Sequence, residues 1–296
     1  MNERCAPVTW ASRPCVHRQH GQDARVTVAV FCILLSMLGG CFSRPARTPA
    51  AIDPATPHVS VMTFNVNFGL AGDGPTLAAV AQQDADVVFL QETTPHWESV
   101  LRMQCAGDYP HIQFQHPDAG GAGGLAVMSK LPIEQIDYLP AKDWFPAARV
   151  VLASPLGRLQ VLNVHLRPPI SDRGSAVSGY FLTPPVRQAE ISTFAAALDK
   201  NLPTLIVGDF NENERGRAVQ WLTANGFKSA LPEFQPDAQT WRWRTSYIAL
   251  SGRYDHLCYD ARLTPLRVEV RNAGRSDHLP VVGIFALAEP AVGNPR

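Results

Sequence analysis

The run "LIVGDFNENE" at 205–214 carries three aliphatic residues into a glycine and then an acid or an amide at nearly every position. Asp and Asn form turns, so a strand that simply stops accounts for part of this. Asp209 and Asn211 alternate with Phe210, however, and an i, i+2 pair at a strand end sends both side chains to one side. The pattern recurs along the chain. Asn65 stands in "TFNVN", Glu92 in "FLQET", His165 in "LNVHL", Asp255 in "RYDHLCY", and Asp277 with His278 in "RSDHLPV". Carboxylates, amides and imidazoles at strand ends are the components of a metal-assisted phosphoester site. A hard divalent cation such as Mg²⁺, with Mn²⁺ as the alternative, takes oxygen ligands. Attack at phosphorus needs a group that activates water and positive charge facing the developing phosphorane oxygens. Neighbouring carboxylates repel one another unless a cation sits among them.

Strands must hold these residues in place. "VSVMTFNVN" (59–67) alternates as a half-buried strand, and "DVVFLQE" (86–92) reads as a buried strand ending in a carboxylate. Further strands are expected at 123–130, 148–155 and 159–166, with Gly157 turning a hairpin between the last two, and then at 204–210, 254–259, 265–271 and 280–286. Helices are expected at 75–83, at 184–200 with proline in its first turn, and at about 215–225. Many strands with few helices imply an α+β or sandwiched α/β domain over 59–288. The segment "RPPISDRGSAVSGYFLTPP" (167–185) reads as a mobile loop that shapes the pocket.

Total charge is zero, and from Cys41 onward 22 basic residues face 24 acidic ones, a net of −2. No basic excess points to a protein dedicated to long nucleic acid. After Arg25, the uncharged apolar run 26–38 is too short to span a bilayer and matches the core of a secretory signal. Leu38-Gly39-Gly40-Cys41 resembles the lipobox of bacterial lipoproteins. Residues 1–40 are therefore expected to be a signal peptide and Cys41 lipidated. The proline-rich 41–58 would be a tether and 289–296 a disordered tail, with the domain held outside the cytoplasm on the cell envelope. A short buried helix or an ordinary signal peptide is the alternative. Cys105 and Cys258 are either a disulfide or two buried thiols.

In order, "FNVN", "LQET", "NVHL", "GDFN", "YDH" and "SDHLPV" resemble the endonuclease/exonuclease/phosphatase superfamily, over about 59–287. The resemblance implies a DNase I-like four-layer α/β sandwich, two β-sheets flanked by helices, with the site at one rim. It implies that Glu92, with Asn65 beside it and Asp277 as second carboxylate, binds the metal. It makes Asp209 the group that orients or deprotonates water and Asn211 a holder of phosphate or nucleophile. His278 would contact the scissile phosphate, oriented by Asp255, and His165 would stabilise phosphate or protonate the leaving oxygen. Arg167 and Arg187 are the candidate substrate-binding cations. Arg187, Gln188 and Glu190 would alternatively brace the site or form a solvated helix face. His256 is expected to be structural or at the surface. The tryptophans of "TWRWR" (240–244) would stack on a base, dip into lipid or pack in the core.

The chemistry is better defined than the substrate. A nuclease-like phosphodiesterase, expected to be a monomer, is the primary expectation. Hydrolysis of phospholipid, phosphoinositide or small phosphomonoester is the alternative, and a non-catalytic phosphate-binding module is a third. No long apolar insertion announces a membrane hook.

Overall fold

The computed structural model describes residues 45–49, 51–117, 121–244 and 248–289. The expected signal peptide, Cys41 and the tail beyond Glu289 lie outside the described residues. Arg44–Arg296 form a compact unit of their own.

One six-stranded sheet joins β1 (Val59–Asn65), β2 (Val87–Thr93), β3 (His111–Gln115), β4 (Gly124–Ser129), β13 (Leu263–Val270) and β14 (Val281–Leu287), in the order β13-β14-β1-β2-β4-β3. The other joins β5 (Ile133–Leu139), β6 (Ala147–Ser154), β7 (Gly157–His165), β8 (Thr204–Asp209), β9 (Lys228–Ser229) and β12 (Asp255–Tyr259), in the order β5-β6-β7-β8-β12-β9. Both sheets are mixed, with β1–β2 and β7–β8 parallel. A separate hairpin pairs β10 (Trp241–Arg244) with β11 (Ala249–Gly252).

The strand period of two builds the layers. Val59 and Val61 of β1 face inward with Val87 and Phe89 of β2, and meet Val161, Leu205, Val207 and Leu257 of the other sheet in a central core. The alternate residues face out. Met62, Phe64, Val88 and Leu90 pack under α1 (Gly74–Ala81) and α2 (Pro95–Cys105) through Leu77, Val80, Trp97 and Leu101. Leu162, Val164, Ile206 and Phe210 pack under α4 (Pro184–Ala195) and α5 (Arg217–Ala224) through Ile191, Phe194, Val219 and Leu222. The result is helices, sheet, sheet, helices, the four-layer sandwich expected. Two short helices, α3 (Ala176–Leu182) and α6 (Leu231–Phe234), complete the domain.

Several elements went unassigned in the sequence. Helix α2 is capped by Thr94, whose hydroxyl accepts from the Trp97 N–H, and starts on Pro95. Its buried stripe Trp97, Leu101, Cys105 has i, i+4 spacing, so the signal was present. Residues 167–185, expected to be a mobile loop, contain α3 capped by Ser175. Helix α4 ends at Ala195, five residues short of the expected bound. Cys105 and Cys258 are free and buried in the two different helix-facing cores, which excludes the disulfide. The expected tether also makes contact. The Arg47 N–H donates to the Glu233 carbonyl at 2.6 Å and its guanidinium lies over Phe234.

Candidate active site

The inner faces of the sheets change character toward one rim. Below lies the apolar core; next comes an amide and hydroxyl layer, where Gln91 Nε2 donates to Thr63 Oγ1 (3.0 Å) and Asn163 Oδ1 (2.7 Å). Above it sit the ionisable groups. His165, Asp209 and Asp255 are register partners across β7, β8 and β12, so all three project from one level of the sheet. Gly208 makes this register possible. Its φ is 134°, and an added Cβ would stand 1.9 Å from the Val164 carbonyl oxygen. From the facing sheet, Asn65 ends β1. Glu92 lies at a register shift in β2 with φ 61°, a left-handed backbone unusual for glutamate. Such a bulge re-aims a side chain, here into the cleft.

The side chains then meet. Asn65 Nδ2 donates to Glu92 Oε1 at 3.0 Å and to Asp209 Oδ2 at 3.1 Å. His165 Nε2 and His278 Nε2 each lie 3.5 Å from Asp209 Oδ2. His278 Nδ1 is 2.8 Å from Asp255 Oδ2, which turns Nε2 toward the cleft. Asp277 accepts from Asn67 Nδ2 (3.1 Å) and Trp241 Nε1 (3.0 Å). Ser276 Oγ donates to the Asn65 carbonyl and ties this turn to β1. The eight strand-end residues singled out in the sequence thus stand around one rim.

The two imidazoles have opposite charge preferences. Burial pushes His165 down to about 4, against the pull of Asp209. Burial also opposes charge on His278, but Asp255 and Asp209 override it and push its pKa up to about 10. A neutral and a cationic histidine on one carboxylate is an arrangement that separates acid, base and charge-holding roles. Burial raises the Glu92 carboxyl. It also raises that of Asp209, where His278 pulls the other way.

Glu92, Asp209, Asp255 and Asp277 make no ion pair with Lys or Arg among the described residues. Glu92, Asp277 and the Asn65 amide offer hard oxygen donors with no Lys or Arg paired to them among the described residues, a set that fits a divalent cation. The compact trio Asp209, Asp255 and His278 also has ligand spacing. In that trio His278 Nδ1 already faces both Asp255 oxygens, the geometry of a hydrogen-bonded relay.

One expectation changes. Arg187 is not available to substrate: it is buried, its Nε donates to Glu212 Oε2 at 2.8 Å, and its Nη1 donates to Thr183 Oγ1 and the Arg167 carbonyl. Glu212 also caps α5 at the Ala218 N–H, so the pair braces the strand end after Asp209. Asn211 (φ 53°) donates from Nδ2 to the Leu166 carbonyl at 2.9 Å and from its N–H to Asp209 Oδ1, which ties the strand ends and leaves its Oδ1 for the role expected of it. Arg167 stacks on Trp144 and pairs with Asp172 at the rim. His256 is buried between Ser229 Oγ and the Glu212 carbonyl, a structural histidine.

The sequence reading missed Asn67, Trp241 as a partner of Asp277, and Phe145, which stacks on His165 with ring centroids 4.2 Å apart. Asn67 had a signal, since it repeats Asn65 at i+2; Phe145 had none. Glu190 is buried, accepts from the Arg167 N–H at 2.9 Å, and is pushed up to about 7 by burial. Its folded pKa exceeds the ordinary 4.5, so its stability contribution is complete below about pH 4.5 and is lost as pH climbs through 7. Glu190→Gln is expected to raise stability at pH 8 by on the order of 2 kcal/mol and to leave it nearly unchanged at pH 4.5, read by denaturant titration at both pH values. An equal gain at both would refute the assignment.

The comparisons agree with this geometry. The family model described as Endonuclease/Exonuclease/phosphatase family matches residues 62–278, from within β1 to His278 itself. The chain is 25% identical over 214 residues to the inositol phosphosphingolipids phospholipase C of Saccharomyces cerevisiae, covering 67% of this chain and 41% of that enzyme. Its fold is similar to an endonuclease/exonuclease/phosphatase structure from Beutenbergia cavernae, with TM-score 0.60 and 20% identity over 78% of this chain and 72% of that one. D. rerio TDP2 complexed with single strand DNA product gives TM-score 0.60 at 16% identity, over 77% and 98% of the two chains. An AP endonuclease from Archaeoglobus fulgidus gives 0.58 at 17%, over 77% and 99%. With the ordered strand-end residues, the sandwich that gathers them and a family match over most of the chain, this protein belongs to the endonuclease/exonuclease/phosphatase family, whose members hydrolyse phosphoester bonds.

Proposed function

We propose that this protein is a Mg²⁺-dependent phosphodiesterase that directs water onto phosphorus. The observation that carries this is the convergence of both histidine Nε2 atoms on Asp209 Oδ2, with Asp255 behind one of them. Asp209 orients the attacking water and takes its proton. The His278 imidazolium, held by Asp255, faces the charge that grows on the phosphate oxygens. Neutral His165 lies on the far side of Asp209 and hydrogen-bonds the leaving oxygen. Glu92, Asn65 and Asp277 would hold the metal, which when bound supplies positive charge to the phosphate. Asn211 and the Arg187–Glu212 pair keep the strand ends in position.

A soluble diester such as bis(p-nitrophenyl) phosphate and a supercoiled plasmid, each with Mg²⁺, with EDTA and with Asp209→Ala, test the reaction. Hydrolysis that needs both metal and Asp209 is expected; hydrolysis indifferent to both sinks the mechanism. Mg²⁺ or Mn²⁺ well above its Kd is expected to raise the wild-type Tm by roughly 3–8 °C and that of Glu92→Gln little. An equal rise in both would remove Glu92 as ligand.

A phospholipid or phosphoinositide substrate is the second reading, favoured by the name of the yeast relative. The chain spans less than half of that enzyme's length, so the lipid substrate is carried here as a proposal. The completeness of the ionisable set argues against a non-catalytic module. Export and lipidation at Cys41, placing the domain on the bacterial envelope, belong to the same proposal. Full-length protein is expected to incorporate labelled palmitate in cells and to sediment with membranes, while Cys41→Ser loses the label. Label retained by the variant would end the lipoprotein reading.

A further inference from the structure

Exposed apolar side chains collect around the mouth of the site. On α3, Val177, Tyr180, Phe181 and Leu182 are between 61% and 74% exposed. On the β10–β11 hairpin, Trp243, Ile248 and Leu250 are about half exposed, and Phe68, whose N–H donates to Glu92, is likewise half exposed. Lone exposed apolar residues are ordinary; groups of them mark interaction surfaces.

Both elements are fastened to the catalytic rim. Gly179 seats α3 so tightly on the 169–171 backbone that a Cβ would stand 2.5 Å from the Pro169 carbonyl oxygen. Thr183 then ties the end of α3 to Arg187. The hairpin is fixed through Trp241, which donates to Asp277 and stacks on Tyr254, and through the Arg242 N–H to the Asp277 carbonyl. Arg187, which receives the end of α3, also donates to the Arg167 carbonyl two residues beyond His165, so α3 is anchored at the rim. Helix and hairpin are thus each tied to residues of the rim.

Composition chooses the occupant. Val177, Leu182, Ile248 and Leu250 have no π face on which a base could stack. Trp and Tyr beside aliphatic residues suit the boundary between headgroups and acyl chains. Arg242 on β10 and the exposed Arg173 on the loop before α3 add cations that complement anionic headgroups, while Asp172 of that loop is taken up by Arg167. We propose that α3 and the β10–β11 hairpin form a docking surface for a phospholipid bilayer and deliver headgroup phosphodiesters to the site. This rests on the phosphodiesterase reading. Arg47 enters beside Glu233, which accepts from the Tyr259 hydroxyl at the end of β12 opposite Asp255. The chain start and the rim are therefore separate contacts, and protein lacking the lipid anchor isolates the rim.

The Arg44–Arg296 unit contains all three cores and serves for the test. It is sedimented with vesicles of phosphatidylcholine and phosphatidylglycerol, while hydrolysis of vesicle lipid and of bis(p-nitrophenyl) phosphate in solution is followed in parallel. The double variant Phe181→Ser/Leu182→Ser is expected to lower vesicle partition at least about tenfold and lipid hydrolysis with it, leaving the soluble diester untouched. Trp243→Ala is expected to give a smaller drop. Wild-type protein that stays in the supernatant overturns the proposal, as does double-variant binding equal to wild type. A tenfold loss of single-stranded oligonucleotide binding with vesicle binding unchanged would make the surface a nucleic-acid groove instead. Sedimentation needs no turnover. Vesicle binding without hydrolysis of any diester would therefore sink the phosphodiesterase reading, and soluble-diester hydrolysis without vesicle binding would sink docking alone.

Discussion

Asp209→Asn is expected to lower kcat on a soluble diester by roughly 10³-fold or more with little change in KM. The substitution is isosteric, so Asn65, His165 and His278 keep a neighbour of the same shape. What disappears is the negative charge and the capacity to take a proton. That charge is expensive in the resting fold: Asp209 is 1% exposed and lies beside Asp255, and burial raises its pKa. Neutralising it is therefore expected to leave Tm unchanged or to raise it, the mark of a group kept for chemistry at the expense of stability. The two readouts separate function from scaffolding. A large fall in Tm with a proportionate fall in activity would mean that Asp209 is a structural pin. Full kcat in the variant would remove it from the mechanism.

His278→Ala carries the second large effect, a fall in kcat of roughly 10³-fold. Its Nδ1 faces both oxygens of Asp255 at 2.8 and 3.1 Å, an orientation that leaves Nε2 at the cleft. Asp255→Asn should cost less, roughly 10–100-fold, because the imidazole stays but loses the partner that fixes its tautomer and its charge. The double variant is expected to be no slower than His278→Ala alone, since Asp255 acts on phosphate only through His278. Additive losses in that cycle would give Asp255 an independent role and would break the relay.

Most of the site was legible in the sequence for a simple reason. Strand side chains alternate with period two, so a polar residue in phase with an inward apolar run must emerge on the inner face at the strand's end. The phase is visible in "LIVGDF": Leu205 and Val207 face the central core and Asp209 follows them to the rim. The same rule places Asn65 after Val61 and His165 after Val161. The alternation and the few helices pointed to an α+β or sandwiched α/β domain, and the family resemblance supplied the four layers.

Glu92 is where that rule fails, because a bulge breaks the phase and only the fold reveals the left-handed backbone that turns it inward. Substrate cation, brace and solvated helix face were all open for Arg187 in the sequence, and only the fold, by burying it against Glu212, 25 residues away, makes it a brace. Of the apolar surface only the hairpin tryptophans stood out in the sequence; α3 did not, because exposure is a property of the packed whole. The sequence alone determined most of the side chains that reach the rim, since strand phase is local. The tertiary structure alone decided their partners, the opposite charge of the two histidines and the face turned to the outside, since each depends on groups that meet only when the two sheets close on one another.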